Sequence, residues 1–153
     1  MDWFRERIMF PIRDRRGRTI GFGGRVIGEG QPKYLNSPET DVFHKHREVY
    51  GLYELLDAVR KPEAILVVEG YMDAIAAHQA GVVNVVASCG TALTAQQVKM
   101  LARYANEVIV SYDPDTAGAN ATDRSLMLLL EEGLTVRIVR LPDKLDPDSF
   151  VKQ

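Results

Sequence analysis

Six acidic residues fall in three short clusters, and each cluster stands where an apolar run gives out. Glu69 and Asp73 lie in Val67-Val68-Glu69-Gly70-Tyr71-Met72-Asp73, Asp113 and Asp115 in Ser111-Tyr112-Asp113-Pro114-Asp115, and Asp146 and Asp148 in Leu145-Asp146-Pro147-Asp148. Carboxylates are costly to crowd, because like charges a few ångströms apart repel and raise one another's pKa. A fold that gathers several of them at one edge has a cation to hold. Hard oxygen ligands with positions left open suit Mg²⁺, which takes one or two carboxylates together with substrate phosphates. The residue types therefore point to metal-dependent phosphoryl transfer.

Each cluster also has a plainer account. Glu69-Gly70-x-x-Asp73 is what a strand-to-helix turn asks for: Gly70 permits a tight turn, and acids at a helix start are favoured by the dipole. Asp113-x-Asp115-x-x-Gly118 resists that account, because capping explains one carboxylate and leaves the other. Gly118 makes room for backbone to approach phosphate, and Pro114 stiffens the loop. Asp146-Pro147-Asp148 reads either as an N-cap with Pro at the first helical position or as a third ligand pair. Ser88-Cys89-Gly90-Thr91 either exposes backbone N–H groups to an anion or is a simple strand-to-helix turn. Arg25, Lys33, Tyr34 and Asn36 sit where packing does not require so many polar and aromatic groups. They read as contacts to a nucleotide or nucleic acid, Arg and Lys on phosphate and Tyr on a base, or as a solvated loop. His44, His46 and His78 show no metal-ligand spacing with the acids; His78 reads as structural, and His44 and His46 stay open.

The elements that must position these groups change rhythm along the chain. Ile8–Ile12 and Thr19–Ile27 read as two β segments around an Asp14-Arg15-Arg16-Gly17 turn, the second weakened by three glycines that suit a bulge or a close backbone approach. Residues 29–46 read as loop, and 48–60 carries a helical apolar spacing. Strand and helix then alternate: strands over 64–68, 82–87, 107–112 and 134–141, helices over 72–80, 94–104 and 116–132, with Thr94 as an N-cap. A last helix starts at Asp146-Pro147. Near-continuous apolar strands alternating with helices predict an α/β fold with a mostly parallel sheet covered on both faces. Ligands of such sheets bind beyond the carboxyl ends of the strands. The first, third and fourth strands of this part end at the three acidic clusters, so the acids converge on one edge.

Composition sets bounds. The apolar share of 46% affords a core, the one cysteine, Cys89, excludes an internal disulfide and a Cys-based zinc site, and no apolar run approaches a membrane span. No apolar signal region opens the chain, so a cytoplasmic protein without membrane contact is the expectation. Net charge is −2, unevenly spread: residues 1–47 carry ten Lys/Arg against six Asp/Glu, and 48–153 carry nine against fifteen. A basic piece ahead of an acidic one fits a polyanion groove beside a metal-binding edge.

The Glu69-Gly70-Tyr71-Met72-Asp73 segment, followed two βα steps later by Asp113-x-Asp115-x-x-Gly118, resembles the Toprim domain shared by topoisomerases, bacterial primases and some nucleases. Arg5-Glu6-Arg7-Ile8-Met9-Phe10-Pro11-Ile12, Ile20-Gly21-Phe22-Gly23-Gly24-Arg25 and Pro32-Lys33-Tyr34-Leu35-Asn36-Ser37-Pro38-Glu39-Thr40 resemble the catalytic core of bacterial DnaG-type primases. That resemblance implies a partial basic subdomain over residues 1–62 and a Toprim domain over 63–153. It implies RNA primer synthesis from ribonucleoside triphosphates on a single-stranded DNA template. Glu69, Asp73, Asp113, Asp115, Asp146 and Asp148 would be the metal-site acids for Mg²⁺ or Mn²⁺, with Glu69, Asp113 and Asp115 catalytic and Glu69 either ligand or proton acceptor. Arg25, Lys33, Tyr34 and Asn36 would grip the incoming nucleotide. Such primases show Asp-Gly-Asp followed by a basic residue, where this chain has Pro114 and Thr116, and precede the last motif with Gly and a charged residue, where it has Lys144-Leu145. The resemblance further implies that the chain is a fragment that primes poorly alone, with zinc and the replicative helicase bound by absent N- and C-terminal domains. It places the whole protein in the bacterial cytoplasm at the nucleoid. A Toprim nuclease or topoisomerase fragment, or a Toprim module that binds DNA without catalysis, are the alternatives.

Overall fold

The computed structural model describes residues 3–89, 91–113, 116–142 and 145–152, with backbone alone at 116–118. Its first part is an antiparallel meander of β1 (Arg7–Arg13), β2 (Thr19–Val26) and β3 (Tyr34–Asn36). Asp14 builds the β1–β2 turn: its Oδ1 accepts the Arg16 and Arg18 N–H groups at 2.9 and 3.0 Å, and Gly17 supplies φ +82°. β3 lies within the stretch expected to be loop. It pairs Asn36 with Gly23, Leu35 with Gly24 and Tyr34 with Arg25. Three residues are too few to show an alternation.

The glycines of β2 answer to close approach. Gly21 and Gly23 share one face of the strand. A Cβ on Gly21 would stand 3.0 Å from the Phe43 ring, and one on Gly23 would stand 2.3 Å from Cζ of Tyr71. Both rings lie directly on the strand backbone.

Past the meander, α1 (Leu52–Ala58) is shorter than the 48–60 spacing predicts. Its N-cap, Gly51, sits at φ +89°, and Val59 is extended. Tyr50, just ahead of it, bridges Ala87 in antiparallel fashion, with 2.9 Å N–H···O bonds in both directions.

The second part alternates as expected: β4 (Ala64–Val68), α2 (Tyr71–Gln79), β5 (Val85–Ala87), α3 (Ala95–Leu101), β6 (Glu107–Ser111), α4 (Thr116–Glu131), β7 (Thr135–Ile138) and α5 (Pro147–Val151). The four strands pair in parallel in the order β5-β4-β6-β7. β5 starts later than position 82 because Gly81 turns at φ +94° and the Val82 N–H closes back on the Ala77 carbonyl at 2.9 Å. Thr94 caps α3, its Oγ1 accepting from Gln97 N at 3.1 Å while Gln97 Oε1 accepts from Thr94 N at 3.0 Å.

Both faces of the sheet are covered. Ile65, Val67, Val86, Val108 and Val110 pack with Leu52, Leu55, Val98, Leu101 and Leu129 from α1, α3 and α4. Val68, Val85 and Ala87 pack with Ala74 and Ala77 of α2. Leu55, Leu101 and Leu129 are fully buried, each contributing about 1.5–3 kcal/mol. A third cluster joins the parts: Phe10 and Ile12 of β1 meet Phe43 and Tyr71, and the Phe10 and Tyr71 rings stack at 4.9 Å. Among the described residues no helix is long and apolar enough to cross a membrane.

Candidate active site

β4 and β6 are neighbours in parallel, with Val68 paired to Ser111, so the residues just past them leave the sheet at the same edge. Glu69 follows β4, and Asp113 follows β6. α5 brings the third cluster to that edge by docking on α2: the Asp148 N–H donates to Asp73 Oδ1 at 3.2 Å. The meander closes the other side. The result is one cleft of about 360 Å³ with Glu69, Asp73, Asp113, Asp146 and Asp148 on one wall and Arg25, Lys33, Tyr34 and Asn36 on the other. Asp115 lies outside the described residues, as do Pro114, Gly90 and Lys144.

The acids in that wall are not equivalent. Asp73 is buried and already holds two backbone donors, Asp148 N–H on Oδ1 and Gly70 N–H on Oδ2 at 3.3 Å. Burial pushes its carboxyl up to about 6; the two N–H bonds hold that rise back, while the Asp113 and Asp146 carboxylates add to it. Asp146 caps α5, its Oδ1 accepting from Ser149 N at 2.7 Å, and that hydrogen bonding holds it below the usual carboxylate range. Asp148 pairs with Lys152 Nζ at 2.8 Å. Of the two alternatives the residue pattern left, the cap is the one the geometry bears out: Asp146 caps α5 and also lines the cleft.

Asp113 differs from these. Its Oδ1 is buried and, among the described residues, accepts no hydrogen bond. An unpaired buried acceptor costs about 1–3 kcal/mol, more when charged, and a cation is the natural remedy. Among the described residues no three His, Cys, Asp or Glu side chains close on one point. The donor set that lines the cleft, all oxygen, fits a hard divalent cation.

The opposite wall is basic and aromatic. β2–β3 pairing sets Arg25 beside Tyr34 and Gly23 beside Asn36. Arg7 Nη1 donates to the Gly24 and Lys33 carbonyls at 3.5 and 3.4 Å, fixing the strand that precedes Tyr34. Burial raises the Tyr34 hydroxyl; the Arg25 charge opposes this and the acids across the cleft reinforce it. An anion bound between the walls would meet the Arg25 and Lys33 cations on one side.

Of the residues that line this cleft, Tyr71 and Met72 were given no role by the sequence reading. Tyr71 lines it, buried, with its hydroxyl donating to Asn36 Oδ1. Its position two residues after Glu69, at the first turn of α2, was the available signal. Ser88 is spoken for, since its backbone N–H donates to the Val68 carbonyl at 3.1 Å and its buried hydroxyl accepts from Tyr112 OH at 3.1 Å, so it holds no N–H out to an anion. His44 pairs with Glu39 at 3.1 Å on the loop, and His78 lines a small apolar hollow between α1 and α2 with Tyr50 and Val85.

Comparison with known proteins gives a consistent picture. The family model described as Toprim-like matches residues 66–151, and that described as the N-terminal domain of the DNA primase catalytic core matches 1–56. A DNA primase of Pasteurella multocida is 56% identical across 99% of this chain, which covers 27% of that protein. A solved DNA primase domain from Pseudomonas aeruginosa superposes with a TM-score of 0.93 at 51% identity, covering 99% of this chain and 48% of that one. A DnaG primase catalytic domain solved bound to single-stranded DNA gives 0.92 at 53% identity, covering 99% and 49%. The chain thus spans about a quarter of the curated relative's length and about half of each solved chain's.

Proposed function

This chain belongs to the Toprim-like family, and we propose that it forms the polymerising core of a bacterial DNA primase, which joins ribonucleoside triphosphates into short RNA primers on single-stranded DNA. In this reading the primer 3′ hydroxyl attacks the α-phosphorus of the incoming nucleotide and pyrophosphate leaves. The observation that carries it is the buried Asp113 Oδ1, unpartnered among the described residues, in a cleft whose lining also holds Arg25 and Lys33. Glu69, Asp113 and Asp115 are the central acids, with Asp73, Asp146 and Asp148 around them. Mg²⁺, or Mn²⁺ in its place, held there would neutralise phosphate charge and favour the attacking hydroxylate. Arg25 and Lys33 bind the triphosphate, Tyr34 stacks on the base, and Asn36 adds a polar contact. Asp73 holds Gly70 and Asp148 in place through its two N–H bonds, so it orders the acidic wall as well as lining it.

The division of labour follows the chain. Residues 1–62 form a nucleotide-gripping subdomain, and 63–153 form the metal-holding Toprim domain. In the same reading the whole protein works in the bacterial cytoplasm at the replication fork, and no residue of this chain binds zinc or the replicative helicase.

The test is Asp113→Asn with Asp115→Asn in the intact protein. We expect primer synthesis to fall by at least about a hundredfold and Mn²⁺ affinity, read by electron paramagnetic resonance, to fall with it. Unchanged Mn²⁺ affinity would overturn the metal assignment. Nicked DNA instead of primers from the unmutated protein would place it with Toprim nucleases, and binding without any product would leave a DNA-binding module.

A further inference from the structure

Tyr71 occupies a point where the two parts of the molecule touch. It is the first residue of α2, two positions past Glu69, and is 3% exposed. Its ring stacks on Phe10 at 4.9 Å and meets Tyr50 edge-on at 4.8 Å. The hydroxyl end lies over Gly23, where a Cβ would stand 2.5 Å from the oxygen. Gly23 is the cross-strand neighbour of Asn36, so the missing side chain at 23 is what lets Tyr71 cross the strand and reach Asn36 Oδ1.

That bond has a chemical consequence. A carboxamide has one acceptor end and one donor end. The Tyr71 hydroxyl spends its one proton on Oδ1 of Asn36. With Oδ1 taken by that donor, the end of Asn36 left for the cleft is Nδ2. Among the described residues no acceptor takes Nδ2.

We propose that Tyr71 is a positioning residue for nucleotide binding: its hydroxyl fixes the Asn36 carboxamide so that Nδ2 donates to an acceptor oxygen of the incoming nucleotide. This rests on the reading of the cleft as a ribonucleotide site. Tyr71 touches no reacting atom; it acts through Asn36. It also makes that grip conditional on the seating of the meander against α2, because Asn36 belongs to the first part and Tyr71 to the second.

The experiment compares Tyr71→Phe, Asn36→Ala, their double mutant and Asn36→Asp in the intact protein. A non-hydrolysable ribonucleoside triphosphate with Mn²⁺ reports affinity, primer synthesis gives KM and kcat, and thermal melting monitors the fold. Tyr71→Phe keeps the stacked ring and loses the hydroxyl, and is expected to raise Kd and KM about five- to tenfold with kcat within about twofold. The double mutant should bind no worse than Asn36→Ala alone, since the second group acts through the first. Asn36→Asp keeps an acceptor for Tyr71 and removes the donor, so it should weaken binding at least as much as Asn36→Ala. If Asn36→Ala weakens the nucleotide while Tyr71→Phe leaves Kd unchanged, or the two effects multiply in the double mutant, the Tyr71 proposal is overturned and the nucleotide reading stands. If Asn36→Ala leaves Kd unchanged, the nucleotide reading of this wall falls, and the Tyr71 proposal with it.

Discussion

The meander and the parallel sheet solve opposite problems with different materials. In the parallel sheet, Ile65, Val67, Val68, Val86, Val108 and Val110 are fully buried, and helices cover both faces. In the meander, β1 and β2 bury little beyond Phe10, Ile12 and their glycines, while Ile8, Met9, Phe22 and Tyr34 remain exposed. The sheet supplies its own stability. The meander borrows stability at one joint, where Phe10, Tyr50 and Tyr71 interlock. The difference teaches where each function can be carried. Carboxylates that repel one another sit on the rigid partner, where the core resists their strain. Arg25, Lys33, Tyr34 and Asn36, which grip and release the nucleotide in the proposed function, sit on the lightly anchored one.

The largest effect should come from breaking the rigid partner alone. Leu129 lies at 0% exposure among Leu55, Leu101 and Leu134. Leu129→Ala should cost about 2–5 kcal/mol in denaturant unfolding. Nucleotide affinity per folded molecule should hold, because α4 contributes no described side chain to the cleft. Loss of nucleotide affinity matching the loss of stability would show that sheet and grip are one unit.

A smaller effect with the opposite distribution is expected at the joint. Gly23→Ala places a Cβ 2.3 Å from the Tyr71 ring, so β2 or the ring must move. Overpacking of this kind costs about 1–3 kcal/mol, and here it falls on the seating of the meander. Nucleotide Kd should rise together with the stability loss. A Gly23→Ala protein that is destabilised but binds nucleotide normally would break the link between joint and grip.

These contrasts also explain what the sequence disclosed. Parallel strands buried on both faces announce themselves as continuous apolar runs, and their alternation with helices told in advance that Glu69 and Asp113 leave the sheet at one edge; β7 ends at Ile138 instead of running to 141, so Asp146 and Asp148 reach that edge on α5 and not at a strand end. The ends of elements were less legible, because they are decided by single backbone conformations: Gly51 at φ +89° shortens α1, and Gly81 at φ +94° delays β5. β3 was illegible because its three residues are defined by pairing with Gly23, Gly24 and Arg25, not by any pattern of their own. Tyr71 was hidden for a related reason. Its role depends on an absent side chain at position 23, far away along the chain, and no local spacing records that. The double duty of Asp73, bonded to both Gly70 and Asp148, was equally beyond a reading that could place acids on an edge but not count their donors.

The smallest expected effect is a reporter of the joint itself. Cys89 leaves β5 at φ +61° and packs against both the α2 side of the sheet and the Phe10–Tyr71 cluster. Burial pushes its thiol up to about 11, with Tyr71, the Tyr50 backbone and Lys45 pulling weakly the other way. The thiolate is the nucleophile, so a raised pKa means less reactive species at any pH below it. At pH 8 the thiolate fraction falls by more than a hundredfold relative to an ordinary thiol near 8.5. The greater basicity of the thiolate returns part of that loss, leaving alkylation by iodoacetamide about tenfold or more slower than for a free cysteine peptide. The rate should climb as pH rises towards 11 and level off there. Gly23→Ala should speed the reaction at pH 8, because a displaced Tyr71 readmits water to the thiol, whereas Leu129→Ala under folding conditions should change it little. Equal acceleration in both variants would mean that Cys89 reports global opening, and that the meander has no separate motion on the sheet.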